Sequence, residues 1–295
     1  MPALNRALAR RAWLTAAGAS LLGPAMRPVW AAPQRRIVSV GGALTETLYA
    51  LGAQADLVGV DTTSLYPEAA RQLPSVGYAR TLSAEGVLSL RPTLIVATQE
   101  AGPPAVLRQL ASARVPLALL DADHRFDGVL ASTQRLADLC GRADAGAALV
   151  ADLRQRWAST QAHLARRQAG RPAPRVLFVL SHSMAQVRVA GSGTAADAMI
   201  RLAGGSNVLG GVEGYKPLTP EAAIAAAPDV ILATDQGLQA AGGIDGLLRA
   251  PGLAQTPAGQ ARQVVAQDAL LMLGFGPRLP QAVSALADAL YGTRP

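Results

Sequence analysis

Tyr78 stands two residues before Arg80 and seven before Glu85, and further along Tyr215 and Lys216 adjoin and precede Glu221. A free phenol titrates near pH 10, and a neighbouring cation favours its anionic form. A phenolate is a hard oxygen donor of the kind ferric iron takes. In an extended loop, residues i and i+2 project to the same side, so the Arg80 guanidinium can reach the Tyr78 oxygen. The simpler alternative is a loop tyrosine whose ring packs on the protein surface, and the spacing alone leaves both open. Glu85 and Glu221 fall in the first turn of predicted helices, after Ser83-Ala84 and Thr219-Pro220. There the helix dipole stabilises a carboxylate by roughly 0.3–1 kcal/mol. That accounts for one such glutamate, not for its recurrence at the same place.

The recurrence extends well beyond the glutamates. Residues 82–98, LSAEGVLSLRPTLIVAT, align without a gap to residues 218–234, LTPEAAIAAAPDVILAT. Leu82, Glu85, Pro92, Ile95, Ala97 and Thr98 recur as Leu218, Glu221, Pro228, Ile231, Ala233 and Thr234. Gly77-Tyr78-Ala79-Arg80 has a looser echo in Gly214-Tyr215-Lys216. Two copies so far apart do not build a solenoid, which needs several short stacked units. They predict two similar lobes, with a cleft between them as the natural seat of one ligand.

The surrounding pattern supplies those lobes. Ile37–Val40, Leu57–Val60, Leu94–Ala97 and Leu117–Leu120 read as strands, with helices over Thr45–Leu51, Ser83–Leu90 and Ala105–Ala113. Such alternation predicts βαβ units and a mainly parallel sheet. Phe126–Leu139 is helical, and Ala143–Arg167 forms a helix of about 25 residues, roughly 37 Å at 1.5 Å per residue. Gly170, Pro172 and Pro174 stop it. The second lobe restarts at Val176–Leu180, with a helix over Thr194–Leu202, strands at Val230–Ala233 and Gln263–Val265, and a last helix over Pro280–Leu290. The fold class expected is therefore α/β, with two Rossmann-like lobes joined by one long helix. The boundaries read are 1–31 for a signal peptide, 32–140 for the first lobe, 141–169 for the linker helix and 170–295 for the second lobe.

Arg6, Arg10 and Arg11 precede an apolar stretch, and Val29-Trp30-Ala31 offers a small-residue cleavage site. The chain is expected to be exported, by the general secretory route or, given Arg10-Arg11, by the twin-arginine route. That segment's four arginines and no acids account for four of the seven net positive charges, leaving +3. No arginine-rich stretch is interleaved with aromatics, so a nucleic-acid partner is not expected. Cys140 is the only cysteine, which excludes an intrachain disulfide. The G-x-S-x-G, H-E-x-x-H and P-loop patterns are absent, so an exported enzyme is the weaker reading. Three scattered histidines do not suggest a bare metal site.

RIVSVGGALTETLYALG, GYARTLSAEGVLSLRPTLIV, FVLSH, GTAADAMIRLAGG, GYKPLTPEAAIAAAPDVIL and GFGPR, in this order, resemble the haem-binding periplasmic proteins of ABC importers. These belong to a wider group that carries vitamin B12 and ferric siderophores. The resemblance covers essentially the whole chain after the signal segment. It implies two lobes on a single rigid helix, ferric haem as transported ligand, a membrane permease dimer as partner, a periplasmic location and a monomer. Tyr78 resembles the haem-ligating tyrosine and Arg80 the arginine that hydrogen-bonds it. Lys216, with Arg80, is a candidate for the haem propionates. His182, past the strand ending at Leu180, is either a second axial ligand or a solvated or structural histidine. Tyr215, Phe275 and Arg278 are candidate pocket or rim residues, the last two otherwise marking a turn before the final helix. His124 and His163 are expected to lie outside the site, His163 on a solvated face. Glu85 and Glu221 match the glutamates that dock on permease arginines, one per subunit. Carriage of vitamin B12 or a ferric siderophore on the same fold, and a receptor passing the ligand to another membrane partner, are the alternatives.

Overall fold

Short runs such as Leu94–Ala97 and Val230–Ala233 carry apolar residues at every position, the mark of strands covered on both faces. The structure, a computed structural model, describes residues 35–121, 123–180 and 187–292. The first lobe alternates β1 (Ile37–Val40), α1 (Gly42–Ala50), β2 (Leu57–Val60), α2 (Ala84–Ser89), β3 (Leu94–Thr98), α3 (Pro104–Ser112), β4 (Leu117–Leu120) and α4 (Phe126–Leu139). Its sheet is parallel throughout, in the order β2-β1-β3-β4. Ile37 and Val96 pack under α1 and α4 with Leu48 and Leu136. Val38, Val40 and Ile95 face the other way, against Val87 and Leu110 of α2 and α3.

The predicted linker is α5 (Ala143–Gln168), 26 residues long. The second lobe follows with β5 (Arg175–Leu180), β6 (Arg188–Ala190), α6 (Ala195–Leu202), β7 (Ser206–Asn207), β8 (Tyr215–Pro217), α7 (Pro220–Ala226) and β9 (Val230–Thr234). It ends with α8 (Asp235–Ala240), α9 (Gly243–Leu248), α10 (Pro257–Gln260), β10 (Val264–Gln267), α11 (Ala269–Leu273) and α12 (Leu279–Gly292). The parallel strands β7-β5-β9-β10 repeat the pairing order of the first sheet. The two-residue β7 stands where β2 stands in the first lobe. Added to this is a pair absent from the sequence reading: β6 runs antiparallel to both β5 and β8, which makes the second sheet mixed.

The sequence repeat is a structural repeat. Ser83 and Thr219 cap α2 and α7 with side-chain oxygens that accept from the N–H of Gly86 and Ala222. Val87 and Ala223 are both fully buried beneath them. Each helix runs out through a residue with positive φ before proline, Arg91 (47°) and Ala227 (39°). The left-handed residue turns the chain, and the proline cannot continue the helix. Residues 1–31 and His182 lie outside the described residues.

Candidate ligand-binding cleft

Open α/β sheets receive ligands beyond the carboxyl ends of their strands, where strand order reverses direction. In the first lobe that point lies between β1 and β3. Gly41 ends β1 with φ 130°, and a Cβ there would sit 2.7 Å from Thr98 Cγ2 at the end of β3. Only glycine permits this approach. Gly42 follows, so close to Leu270 of α11 that a Cβ would meet its Cδ1 at 2.6 Å. The two lobes thus touch at the floor of a cleft of about 690 Å³, within the usual span for small-molecule sites. Its walls combine Tyr78, Arg80, Glu100 and His124 from the first lobe with Thr194, Tyr215, Leu270 and Phe275 from the second.

Tyr78 has extended backbone and leads into a 3₁₀ turn, Ala79–Thr81. Its side chain is poorly covered, the residue being 44 % exposed. That exposure leaves the phenol open to the cleft it lines. Arg80 also lines the cleft, but its guanidinium is ion-paired with Glu100, just past the end of β3. The Glu100 hydrogen bond holds the guanidinium protonated above its ordinary range; burial opposes this, and Tyr78 and Tyr215 add to it.

Tyr215 faces Tyr78 from the second lobe. Burial pushes its phenol above the ordinary tyrosine value, and Glu100 pushes it further, while Arg80 and a hydrogen bond with Thr194 offset part of the rise. Tyr215 is therefore held as a neutral phenol. Lys216, next on β8, is exposed and does not line the cleft. The reason is strand geometry, because successive side chains point to opposite faces.

Phe275 lines the cleft at 9 % exposure with φ 51°, an unusual backbone for an aromatic residue. His124 packs on it with ring centroids 5.0 Å apart. His124 thus stands in the cleft wall, contrary to the sequence reading. Arg278 does not line the cleft. It reaches back to Glu46 on α1, Nη2 to Oε2 at 2.8 Å, and lies 3.6 Å over the Tyr66 ring. His163 is half-buried rather than on a solvated face, with Nε2 2.8 Å from Asp288 Oδ1. Glu85 and Glu221 are exposed at matching first-turn positions, away from the cleft.

Glu100 escaped the sequence reading and His124 was placed outside the site by it, although both follow the carboxyl ends of predicted strands, β3 and β4. That position was the available signal. The assembled groups form an apolar slot with a poorly covered phenol, one paired cation and an aromatic wall, suited to an apolar body bearing a hard metal centre. Among the described residues no group of three or more His, Cys, Asp or Glu could hold a bare ion.

The sequence profile of the periplasmic binding protein family matches residues 37–270. Among solved structures, the chain is similar to the periplasmic heme-binding protein BhuT in complex with two hemes. The TM-score is 0.84 and the identity 50 %, over 88 % of this chain and 98 % of that one. It is also similar to the periplasmic heme-binding protein RhuT from Roseiflexus sp. RS-1 in apo form: TM-score 0.85, 44 % identity, over 88 % of this chain and 99 % of that one. A curated relative, the vitamin B12-binding protein of Pectobacterium atrosepticum, is 31 % identical over 150 residues. That match takes in 51 % of this chain and spans about half of the relative, 53 % of its length.

Proposed function

The chain belongs to the periplasmic binding protein family, and on that footing we propose that it captures ferric haem between its lobes and delivers it to an ABC importer. The observation that carries this reading is Tyr78, poorly covered in a cleft whose wall also holds Phe275, Tyr215 and the Arg80–Glu100 pair. Ferric iron takes a phenolate axially, and metal charge together with Arg80 draws the proton from Tyr78. Tyr215, held neutral by burial, contributes a ring wall and a hydrogen-bonding hydroxyl rather than a second anion. Leu270 and Phe275 offer apolar surface to the macrocycle, whose propionates are left to reach Arg80 or water.

In this reading the protein works by binding and release, without turnover, as a monomer. Residues 1–31 are its export signal, 32–140 and 170–295 its lobes and 141–169 the connecting helix. Glu85 and Glu221 present one carboxylate per lobe to the two permease subunits; their matching caps and exposure support this. Exposed Lys216 is left to contact the rim or a partner.

The test is a visible absorption titration of the mature protein with ferric hemin, beside Tyr78→Ala. Saturable binding with a phenolate-to-iron charge-transfer band, lost in the variant, is expected. A band that survives the substitution moves the ligand elsewhere. Carriage of a corrinoid is the second reading, favoured by the curated B12-binding relative. Saturable binding of cyanocobalamin, indifferent to Tyr78→Ala, with no hemin binding, would establish it instead.

A further inference from the structure

A carrier must let its ligand go, and the cleft contains a group that works against holding an anion. Glu100 and Arg80 form an ion pair inside the cleft, with side chains 50 % and 60 % exposed. Both sit within electrostatic reach of Tyr215, and Arg80 within reach of Tyr78 as well. The other carboxylates on that wall do not share the load. Asp123 is bonded to Arg125, and Asp121 has no ion-pair partner among the described residues. Neither Lys216 nor Arg278 lines the cleft, and Arg188 meets Tyr215 only at its backbone carbonyl, so among the described residues Arg80 is the one Lys or Arg in the cleft wall.

That cation therefore faces a contest. Its charge is already met by Glu100, and any anion arriving beside Tyr78, a ligated phenolate or a ligand carboxylate, competes for the same guanidinium. We infer that Glu100 is an internal counter-ion that occupies Arg80 in the empty cleft and weakens its hold on the ligand, setting how readily the ligand leaves. The inference rests on the haem reading above. It differs from a positioning role, in which Glu100 would merely orient Arg80 and its loss would weaken binding. A carboxylate this exposed also has no need of a buried partner, so removing its charge leaves the fold intact.

The experiment measures hemin dissociation from the mature protein by transfer to excess apomyoglobin, with equilibrium titration alongside. Wild type, Glu100→Gln, Arg80→Ala and the double variant are compared. Glu100→Gln is expected to slow dissociation and tighten binding roughly two- to fivefold, the range for a half-exposed ion pair. It should also shift the phenolate-to-iron charge-transfer band, which a purely structural change would leave in place. In the Arg80→Ala background the same substitution should change nothing. Faster or unaltered dissociation in Glu100→Gln, or an effect that persists without Arg80, overturns the inference while leaving haem binding standing. Absence of saturable hemin binding by wild type overturns both.

Discussion

Removing Glu46 should destabilise the protein by about 3 kcal/mol, through a contact that joins the lobes rather than through the core of either. Glu46 is on α1 of the first lobe and Arg278 just before α12 of the second, 232 positions later. Their side chains are only 6 % and 20 % exposed. The carboxylate accepts from Arg278 Nη2 at 2.8 Å and from its backbone N–H at 3.2 Å. Burial alone would lower the Arg278 pKa, but the hydrogen bond and charge of Glu46 outweigh it and raise it. Breaking a buried pair by removing one partner costs roughly 3–5 kcal/mol. Here Arg278 keeps the Tyr66 ring at 3.6 Å, a cation–π contact worth about 0.5–2 kcal/mol. The expected loss for Glu46→Ala therefore lies at the low end, about 3 kcal/mol. Arg278 Nε is already buried without a partner, so the pair is not optimised. Replacing both residues, Glu46→Leu with Arg278→Met, should return stability to within about 1 kcal/mol of wild type. Urea denaturation of the mature chain can be followed by Trp157, its one tryptophan, stacked on Phe126 at 4.6 Å where α4 meets α5. A single-variant loss under about 1 kcal/mol, or a double variant no better than the single, would refute the account of a charge stranded by its partner's removal.

Tyr215→Phe should keep the phenolate-to-iron band and alter hemin affinity by no more than about tenfold, one ordinary hydrogen bond; loss of the band would make Tyr215 the ligand. Glu85→Ala with Glu221→Ala should leave hemin titration and melting temperature unchanged and abolish growth on hemin as iron source; weakened hemin binding would refute the docking role. For Asp288, burial would raise the carboxyl pKa, but His163 and Arg167 outweigh it and hold it below the ordinary value. A depressed carboxyl stabilises the fold above its unfolded pKa, near 4, and loses that contribution as pH falls through the folded value. Asp288→Asn should therefore lower the melting temperature at pH 6, and the gap from wild type should narrow at pH 3; a gap unchanged between the two would refute this pairing.

What the sequence made legible was what repeats or is local. The 82–98 and 218–234 blocks carry their own caps, at Ser83 and Thr219, and their own stops, at Pro92 and Pro228. Each block folds the same way for reasons contained within it. The antiparallel partners β6 and β8 are three residues each, too short for alternation to register as a strand. Arg278 sits in a glycine-rich turn that reads as a rim, and only the folded chain brings Glu46 beneath it. Glu100 was hidden by a different cause. An acidic residue in a loop after a strand looks solvated, and nothing local tells that it neutralises the cation two residues beyond Tyr78.

The frame that holds these groups leaves little room for large lobe motion. At one end of α5, Gly146 lies so near α4 that a Cβ would come within 2.3 Å of Ala137 Cβ, and Arg142 pairs with Asp56 at 3.2 Å. At the other end the Thr160 hydroxyl donates to the Pro280 carbonyl at 3.1 Å, and His163 and Arg167 share Asp288 on α12. Between them Leu149 packs against the cores of both lobes. The Glu46–Arg278 pair makes a second tie near the cleft floor. A binding protein whose lobes swing on flexible strands can set affinity by the free energy of closure. One fastened at both ends of a helix and again at the floor has that lever in small measure only, so capture and release fall to the chemistry of the cleft. An exposed phenol beside a cation already claimed by Glu100 is the kind of adjustable grip such a frame requires.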